Sequence, residues 1–421
     1  MTPKILTTLR TYDRGQFTSD LIAGVTVAMV ALPLSLAIAI ASGAGPDKGL
    51  VTAIVAGFLI SFLGGSRVQI GGPTGAFIVV VFGVIAEYGY DGLVLATFMA
   101  GLIMLAAGVL RAGNLVAFVP EPVITGFTIG IGIIIAASQI KDLFGLSASD
   151  VPAEFIPKMQ VLWSARDSVN LYALGIGLAT MVCIVALRRL APKMPGLILA
   201  VGLTSALVAW VALPVDTIFS QFGALPSTLP RPALPEISLE RAIELLPSAL
   251  VIAFLASIES LLSAIVADKM IGGDHRPNAE VLAQGFANIG SALFGGLPAT
   301  GAIARTATNV RAGGKTPVAG IVHALTILLV MLLAAPLAGY LAMPALAGLL
   351  LLTAWNMTEP HKWRGYMQTR VSDRVLLVLT LVLTVFADLT VAIGVGVTVG
   401  LALRLRRHNV EMEKDWTPPE R

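Results

Sequence analysis

The chain is a succession of apolar runs, each near twenty residues long, with almost no charge inside them. About 20 consecutive apolar residues in a helix cross the ~30 Å hydrocarbon core of a bilayer. Apolar residues make up 56% of the sequence and charged residues 13%, whereas a soluble domain carries about 25% charge. Such a chain cannot cover its own surface in water, which argues against both a disordered chain and a soluble helical bundle. Glycine (42) and proline (24) are abundant, many of them inside the runs, and lipid-embedded helices tolerate this better than soluble ones. The single cysteine, Cys183, lies in an apolar run. It allows no disulfide within the chain and no cysteine-rich metal motif, and it reads as a small buried hydrophobe. The first fifteen residues lack an apolar stretch with a small-residue cleavage site, so the first helix is itself expected to be the targeting signal.

Fourteen spans are predicted, at about 18–42, 47–64, 72–88, 91–110, 119–140, 169–188, 194–213, 246–267, 279–295, 299–312, 317–340, 343–357, 372–388 and 389–405. With the N-terminus in the cytoplasm and the spans alternating, 21 of the 28 lysines and arginines fall on the cytoplasmic side. Six fall outside: Lys48, Lys141, Lys158, Arg166, Arg231 and Arg241. The remaining one, Arg305, falls within the membrane. This bias predicts a multi-pass protein of the plasma (inner) membrane with both ends in the cytoplasm. The organisation expected is a cytoplasmic segment 1–17, a first repeat 18–213, an outer connection 214–245, a second repeat 246–405 and a cytoplasmic tail 406–421. The connection is proline-rich and resumes as an amphipathic segment from Ser238 to Leu246. Residues 359–370 read as an interfacial helix with aromatic anchors.

Two runs are broken, one after Gly71-Gly72-Pro73 and one after Gly295-Gly296-Leu297-Pro298. Both continue with the same tripeptide, Thr74-Gly75-Ala76 and Thr300-Gly301-Ala302, 226 residues apart (300 − 74). The same offset carries Asp20, near the start of the first span, to Leu246 at the start of the eighth; Pro120 and Pro344 lie 224 apart (344 − 120). The second half therefore reads as a copy of the first. With seven spans in each half, an odd number, the copies are inverted. Inverted repeats with paired broken helices mark alternating-access carriers whose site lies where the breaks meet.

That site suits an anion. A half-helix that begins at mid-membrane points free N–H groups at its partner, and a helix N-terminus carries roughly half a positive charge. The hydroxyls of Thr74 and Thr300 and the close backbone approach at glycine strengthen the cradle. Arg305, placed about a turn and a half into the second broken helix, adds a full charge, and its side chain leans back toward the break. An arginine within the membrane is costly and points to function. Glu259, in the eighth span, could bind a proton or Na⁺, or balance Arg305 in an ion pair. Ser263, one turn on and on the same face, could offer a hydroxyl to a cation. Gly130-x-Gly132, Gly175-x-Gly177 and Gly394-x-Gly396 sit inside apolar runs and read as helix-packing positions. The four histidines are scattered, Asn356-Met-Thr358 falls on the cytoplasmic side, and nothing marks an enzyme or a nucleic-acid partner.

Several stretches taken in order closely resemble the SulP family of sulfate permeases and anion exchangers. They are Asp20-Leu-Ile-Ala-Gly-Val-Thr-Val-Ala, Gly71-Gly-Pro-Thr-Gly-Ala, Gly126-Phe-Thr-x-Gly-Ile, Ser138-Gln-Ile-Lys-Asp-Leu-Phe-Gly, Ile258-Glu-Ser-Leu-Leu-Ser-Ala and Arg305-Thr-Ala-Thr-Asn-Val-Arg-Ala-Gly-Gly-Lys-Thr-Pro. The resemblance spans about residues 17–407. It implies an all-α membrane protein of fourteen segments in a seven-plus-seven inverted repeat, with a core domain moving against a gate domain like an elevator. It implies a homodimer and a substrate held by Thr74, Gly75, Ala76, Gly301, Ala302, Ile303 and Arg305. Glu259 and Ser263 match two cation ligands of Na⁺-coupled members. A further carboxylate of that set appears here as Leu255, which favours a proton over Na⁺. The first helix carries Pro33-Leu34-Ser35-Leu36, nearer to bicarbonate-like bacterial members than to sulfate permeases. The chain ends at Arg421, too soon for the STAS domain usual in the family. The expected function is cation-coupled anion transport, with bicarbonate, sulfate and a small dicarboxylate such as fumarate all compatible. A nucleobase carrier of the same fold, or an anion channel or motor, is the competing reading.

Overall fold

The computed structural model describes residues 2–387, apart from 112, 114–119, 149–150 and 193, together with 391–392, 394–396, 398–400 and 402. About 77% is helix, as chains in lipid must satisfy their backbone groups internally. Among the described residues, seven helices are long and apolar enough to cross a membrane. The predicted fourteenth span and the tail 406–421 lie mostly outside the described residues.

A short helix α1 (Lys4–Thr8) is followed by α2 (Arg14–Ala41). The Asp13 carboxylate caps α2 by accepting from the Gln16 N–H at 2.8 Å. Pro46 opens α3 (Pro46–Leu63), where its missing N–H costs nothing. Extended backbone then leads to strand β1 (Gly71–Gly72) and, through a 3-10 turn Gly75–Phe77, to α4 (Ile78–Val109). Gly89, with φ 72°, breaks α4 in two; this is the junction predicted between the third and fourth spans. Next come α5 (Glu121–Ser138), α6 (Ile140–Phe144), α7 (Phe155–Ser164), α8 (Leu171–Leu190), α9 (Gly196–Val211) and α10 (Ile218–Phe222).

The second half opens with α11 (Leu239–Ile271), capped by the Ser238 hydroxyl and ended by Gly272 in the left-handed region. Here an expectation is corrected. The segment 238–246 is the first part of the same continuous helix, with Pro247 accommodated inside it, so the connection 214–245 ends earlier than predicted. Then follow α12 (Pro277–Leu293), strand β2 (Thr300–Gly301), α13 (Ile303–Arg311), α14 (Val318–Ala338), α15 (Met343–Met357), α16 (Trp363–Gln368) and α17 (Val371–Phe386). At roughly 1.5 Å per residue, the nine residues of α13 span less than half a bilayer.

Packing falls into two groups. α4 lies on α11 and α12, and α14 on α2 and α3; separately, α5 packs on α15 and α17, and α8 on α9 and α15. The α4–α12 crossing depends on small residues. A Cβ at Gly101 would stand 2.8 Å from the Gly285 carbonyl oxygen, and one at Gly285 would stand 2.9 Å from that of Gly101, the close approach typical of helices packed in lipid. α2 joins the groups by touching α9 and α15.

On one face of the bundle, Arg276 donates to the Thr2 carbonyl at 2.7 Å. Nearby, Asp20 accepts from the Lys315 and Thr316 N–H groups (2.7 and 3.1 Å), the Thr316 hydroxyl and Tyr12. Burial and the Asp20 carboxylate push the Tyr12 hydroxyl up to about 12. Exposed Trp210, Tyr172 and Trp163 lie toward the opposite face, and Trp355 and Trp363 stack edge-on at 5.8 Å on the first. Aromatic side chains of this kind suit both interfaces of a bilayer.

Candidate functional site

Two chain breaks pair with each other in the middle of the molecule. β1 and β2 are antiparallel, with Gly71 opposite Gly301 and Gly72 opposite Thr300. Residues so paired lie about 4.5–5.5 Å apart at Cα. The predicted meeting of the two breaks is therefore present, with Thr74 two residues beyond β1 and Ala302 one residue beyond β2.

Extended backbone within an apolar bundle needs partners, and short polar side chains supply them. The buried face of α13 lies along residues 68–73. Asn309 donates to the Val68 carbonyl at 2.8 Å, the Ile70 N–H donates to the Thr306 hydroxyl at 3.1 Å, and Arg305 Nη2 donates to the Pro73 carbonyl at 2.6 Å. The second break is held the same way. Asn288 exchanges two bonds of 2.9 Å with Ala299, Ser291 donates to the Leu297 carbonyl, and the Leu297 N–H donates to Thr52.

Arg305 differs from its predicted place. Because residues 300–301 are extended and the Ala302 N–H donates to Ile70 at 2.8 Å, α13 begins at Ile303 rather than near 299. Arg305 thus lies in the first turn, not a turn and a half in. It is 1% exposed, and its Nε and Nη1 have no hydrogen-bond partner. The pair with Glu259 that the sequence allowed is absent; neither side chain forms an ion pair among the described residues. Instead, Glu259 accepts from the Thr74 hydroxyl at 2.9 Å, and Arg305 holds the neighbouring Pro73 carbonyl. Adjacent residues of the first break thus engage the two charges separately.

Three expectations for the site change on this account. The Thr74 hydroxyl donates its hydrogen bond to Glu259, because a carboxylate within reach takes the best available donor. Thr300 is fully buried and donates to the Ala256 carbonyl at 2.8 Å, so it braces the strand against α11. Ser263 is buried and donates to Thr306 at 3.2 Å, apart from Glu259 although it lies one turn away. What stays open are the first N–H groups of each half-helix, at Gly75 and Ala76 and at Ile303, which have no partner inside a helix. Ile303 is exposed. Gly75 faces the other helix group: a Cβ there would meet Met357 Sδ at 3.2 Å and Ile135 at 3.4 Å. The site therefore lies on the boundary between the two groups.

One cluster has no counterpart among the sequence expectations. Glu280 of α12 is fully buried and accepts from five donors: the Gly65 and Ser66 N–H groups, Gln69, Ser260 and Gln284, at 2.8 to 3.2 Å. Its signal was present as Glu280, Gln284 and Asn288, a four-residue spacing that places three polar groups on one face of an apolar helix. Gln69 also closes on β2: a Cβ at Gly301 would lie 1.6 Å from its Nε2. Gly301→Ala is expected to separate the strands and eliminate the folded protein, read as loss of the monodisperse peak in size-exclusion chromatography. A wild-type peak would show that the pairing is dispensable.

The Sulfate permease family profile matches residues 17–380. The putative sulfate transporter YvdB of Bacillus subtilis is 43% identical over 382 residues, covering 90% of this chain and 72% of its own length. The bicarbonate transporter BicA of Picosynechococcus is 30% identical over 406 residues, covering 94% of this chain and 71% of its own. Among solved structures, the transmembrane domain of a cyanobacterial BicA superposes with a TM-score of 0.82 at 31% identity, over 90% of this chain and 98% of that one. SLC26A9 superposes with a TM-score of 0.87 at 18% identity, over 96% of this chain and 68% of that one, a likeness of fold.

Proposed function

The chain belongs to the sulfate permease family, and we propose that within it this protein is a secondary transporter of a small oxyanion, working by alternating access. The observation that carries the proposal is the pair of half-helix starts joined through β1 and β2, with Arg305 in the first turn of α13 and no counter-ion on it among the described residues. A cation at a helix N-terminus sits at the unfavourable end of the dipole. An anion placed at the open N–H groups of Gly75, Ala76 and Ile303 offsets both. Arg305 acts from behind the break as a buried charge, while the backbone makes the contacts.

The relatives described as sulfate and bicarbonate transporters support an oxyanion and leave sulfate, bicarbonate and a small dicarboxylate as the substrates to test. The two helix groups fit a fourteen-span, seven-plus-seven inverted repeat, in which α2–α4 and α11–α14 form a core that carries the site past a gate of α5, α8, α9, α15 and α17. In this reading both ends are cytoplasmic and Glu259 carries the coupling proton. Its carboxylate touches the first break through Thr74, so its charge state is felt at the site.

The test is uptake into proteoliposomes of radiolabelled bicarbonate, sulfate and fumarate, with and without proton and Na⁺ gradients. Saturable uptake of one of them, accelerated by a proton gradient, is expected. Uptake blocked by uracil but by none of the three anions would transfer the protein to the nucleobase carriers, and non-saturating flux would make it a channel. Glu259→Gln is expected to bind the anion yet lose the response to the proton gradient. An unchanged pH response would remove Glu259 from coupling.

A further inference from the structure

Lys158 is a cation that the half-helix site does not use. It lies on α7 at the face where α2 ends, with only 4% of its surface exposed. Its ammonium forms no ion pair or hydrogen bond among the described residues, and Nζ stands 5.1 Å from the centroid of the Phe82 ring. Glu154, the N-cap residue of α7 one turn earlier, is the nearest carboxylate on this element, but it is exposed and forms no ion pair with Lys158 among the described residues. Lysine stems bury readily while the charge escapes to water. α7 has solvent-facing positions on either side, yet it directs this ammonium inward. Contact with one ring offsets only part of the desolvation of an ammonium, so the position can take a further anionic partner.

The surroundings indicate which one. Lys158 lines a narrow cavity of about 20 Å³ with Phe82, Ser138 and Ile78. Ile78 is the first residue of α4, directly after the 3-10 turn that opens at Gly75. Ile134, next to the Ile135 that faces Gly75, lines this cavity and also a wider one of about 480 Å³. The wider cavity lies between α4, α5, α11 and α17 and carries the carboxylates of Glu87 and Glu154. The two cavities share Val79, Ile134 and Ala153, and the pair of them ends at Ile78, three residues beyond the first half-helix start, along the boundary between the two helix groups. An anion entering them is repelled by two carboxylates and meets one cation at the constriction.

We propose that Lys158 is a second anion contact, a fixed cation at the constriction between the wider cavity and the half-helix site that receives a small oxyanion before it reaches that site. The inference rests on the carrier reading above and on its orientation, in which α7 faces outside. With the constriction closed, the space beside Lys158 admits no more than a water molecule. The contact therefore forms when α4 and α5 part, and the ammonium then draws the anion inward.

The test compares wild type with Lys158→Gln and Lys158→Arg in right-side-out and inverted membrane vesicles, using radiolabelled sulfate and, in parallel, bicarbonate. Lys158→Gln is expected to raise KM about tenfold for anion presented on the outer side, with maximal rate and inner-side KM near wild type, while Lys158→Arg retains the wild-type outer KM. Lys158→Met, which keeps the buried stem, replaces the glutamine variant if that one does not fold. An outer KM within twofold of wild type, or an equal rise on both faces, would overturn the assignment, the latter by showing a purely structural effect. Wild-type vesicles that accumulate neither anion would instead sink the carrier reading and this inference with it; normal wild-type uptake with an unmoved variant sinks this inference alone.

Discussion

Arg305→Ala is expected to reduce anion uptake by at least about thirtyfold, because truncating one member of a buried, hydrogen-bonded charged contact costs about 2–5 kcal/mol. Two losses combine. The positive charge behind the half-helix starts disappears, and the Pro73 carbonyl, now held by Nη2 at 2.6 Å, is left buried without a donor. Arg305→Lys tests which loss matters more. A lysine restores charge but not the planar fork of donors, and a Cβ at Gly72 would stand 2.4 Å from Nη1, so the pocket is shaped to guanidinium. We expect the lysine variant to regain less than a tenth of wild-type uptake. Uptake by Arg305→Ala at the wild-type rate, in protein shown to be folded, would remove this residue from the mechanism and leave the helix starts to act alone.

Glu280→Ala should fail at an earlier stage, in folding rather than in transport. The carboxylate gathers α12, the end of α3 and α11 through its five donors, and none of them has access to water. Each buried polar group left unpaired costs about 1–3 kcal/mol, and breaking such a network costs about 3–5 kcal/mol in total. Against a typical stability of about 5–15 kcal/mol, that is a large share. Glu280→Gln should be nearly as damaging: one side-chain oxygen still accepts, but the new NH₂ faces either the Gly65 and Ser66 N–H groups or Gln69 and Gln284. Thermal unfolding in detergent measures both variants. A midpoint within about 2 °C of wild type for Glu280→Ala would show that the network contributes little.

The helical, membrane-type character was legible in the sequence because hydrophobic run length acts at short range. The same applies to the broken segments. Gly71-Gly72-Pro73 and the Thr-Gly-Ala repeat foretold two breaks that meet, and the structure pairs them through β1 and β2. The side-chain assignments at the site were less legible. A threonine beside a glycine break reads as an anion ligand until a carboxylate from another helix accepts its hydrogen bond, as Glu259 does with Thr74. Ser263 was placed on the right face of its helix, but its partner Thr306 lies 43 residues away. The start of α13 was misplaced because nothing local distinguishes extended from helical backbone at 299–302 when the partner strand is 230 residues earlier.

Apolar runs and the glycine and proline breaks determined that this chain is of the multi-pass membrane type and is interrupted at two places; those are properties of single segments. The tertiary structure decided which polar groups are spent on holding extended backbone and which stay open to a ligand. Hydrogen bonds saturate, and the competition among Thr74, Thr300, Ser263, Glu259 and Glu280 for a few partners is settled only when distant segments meet.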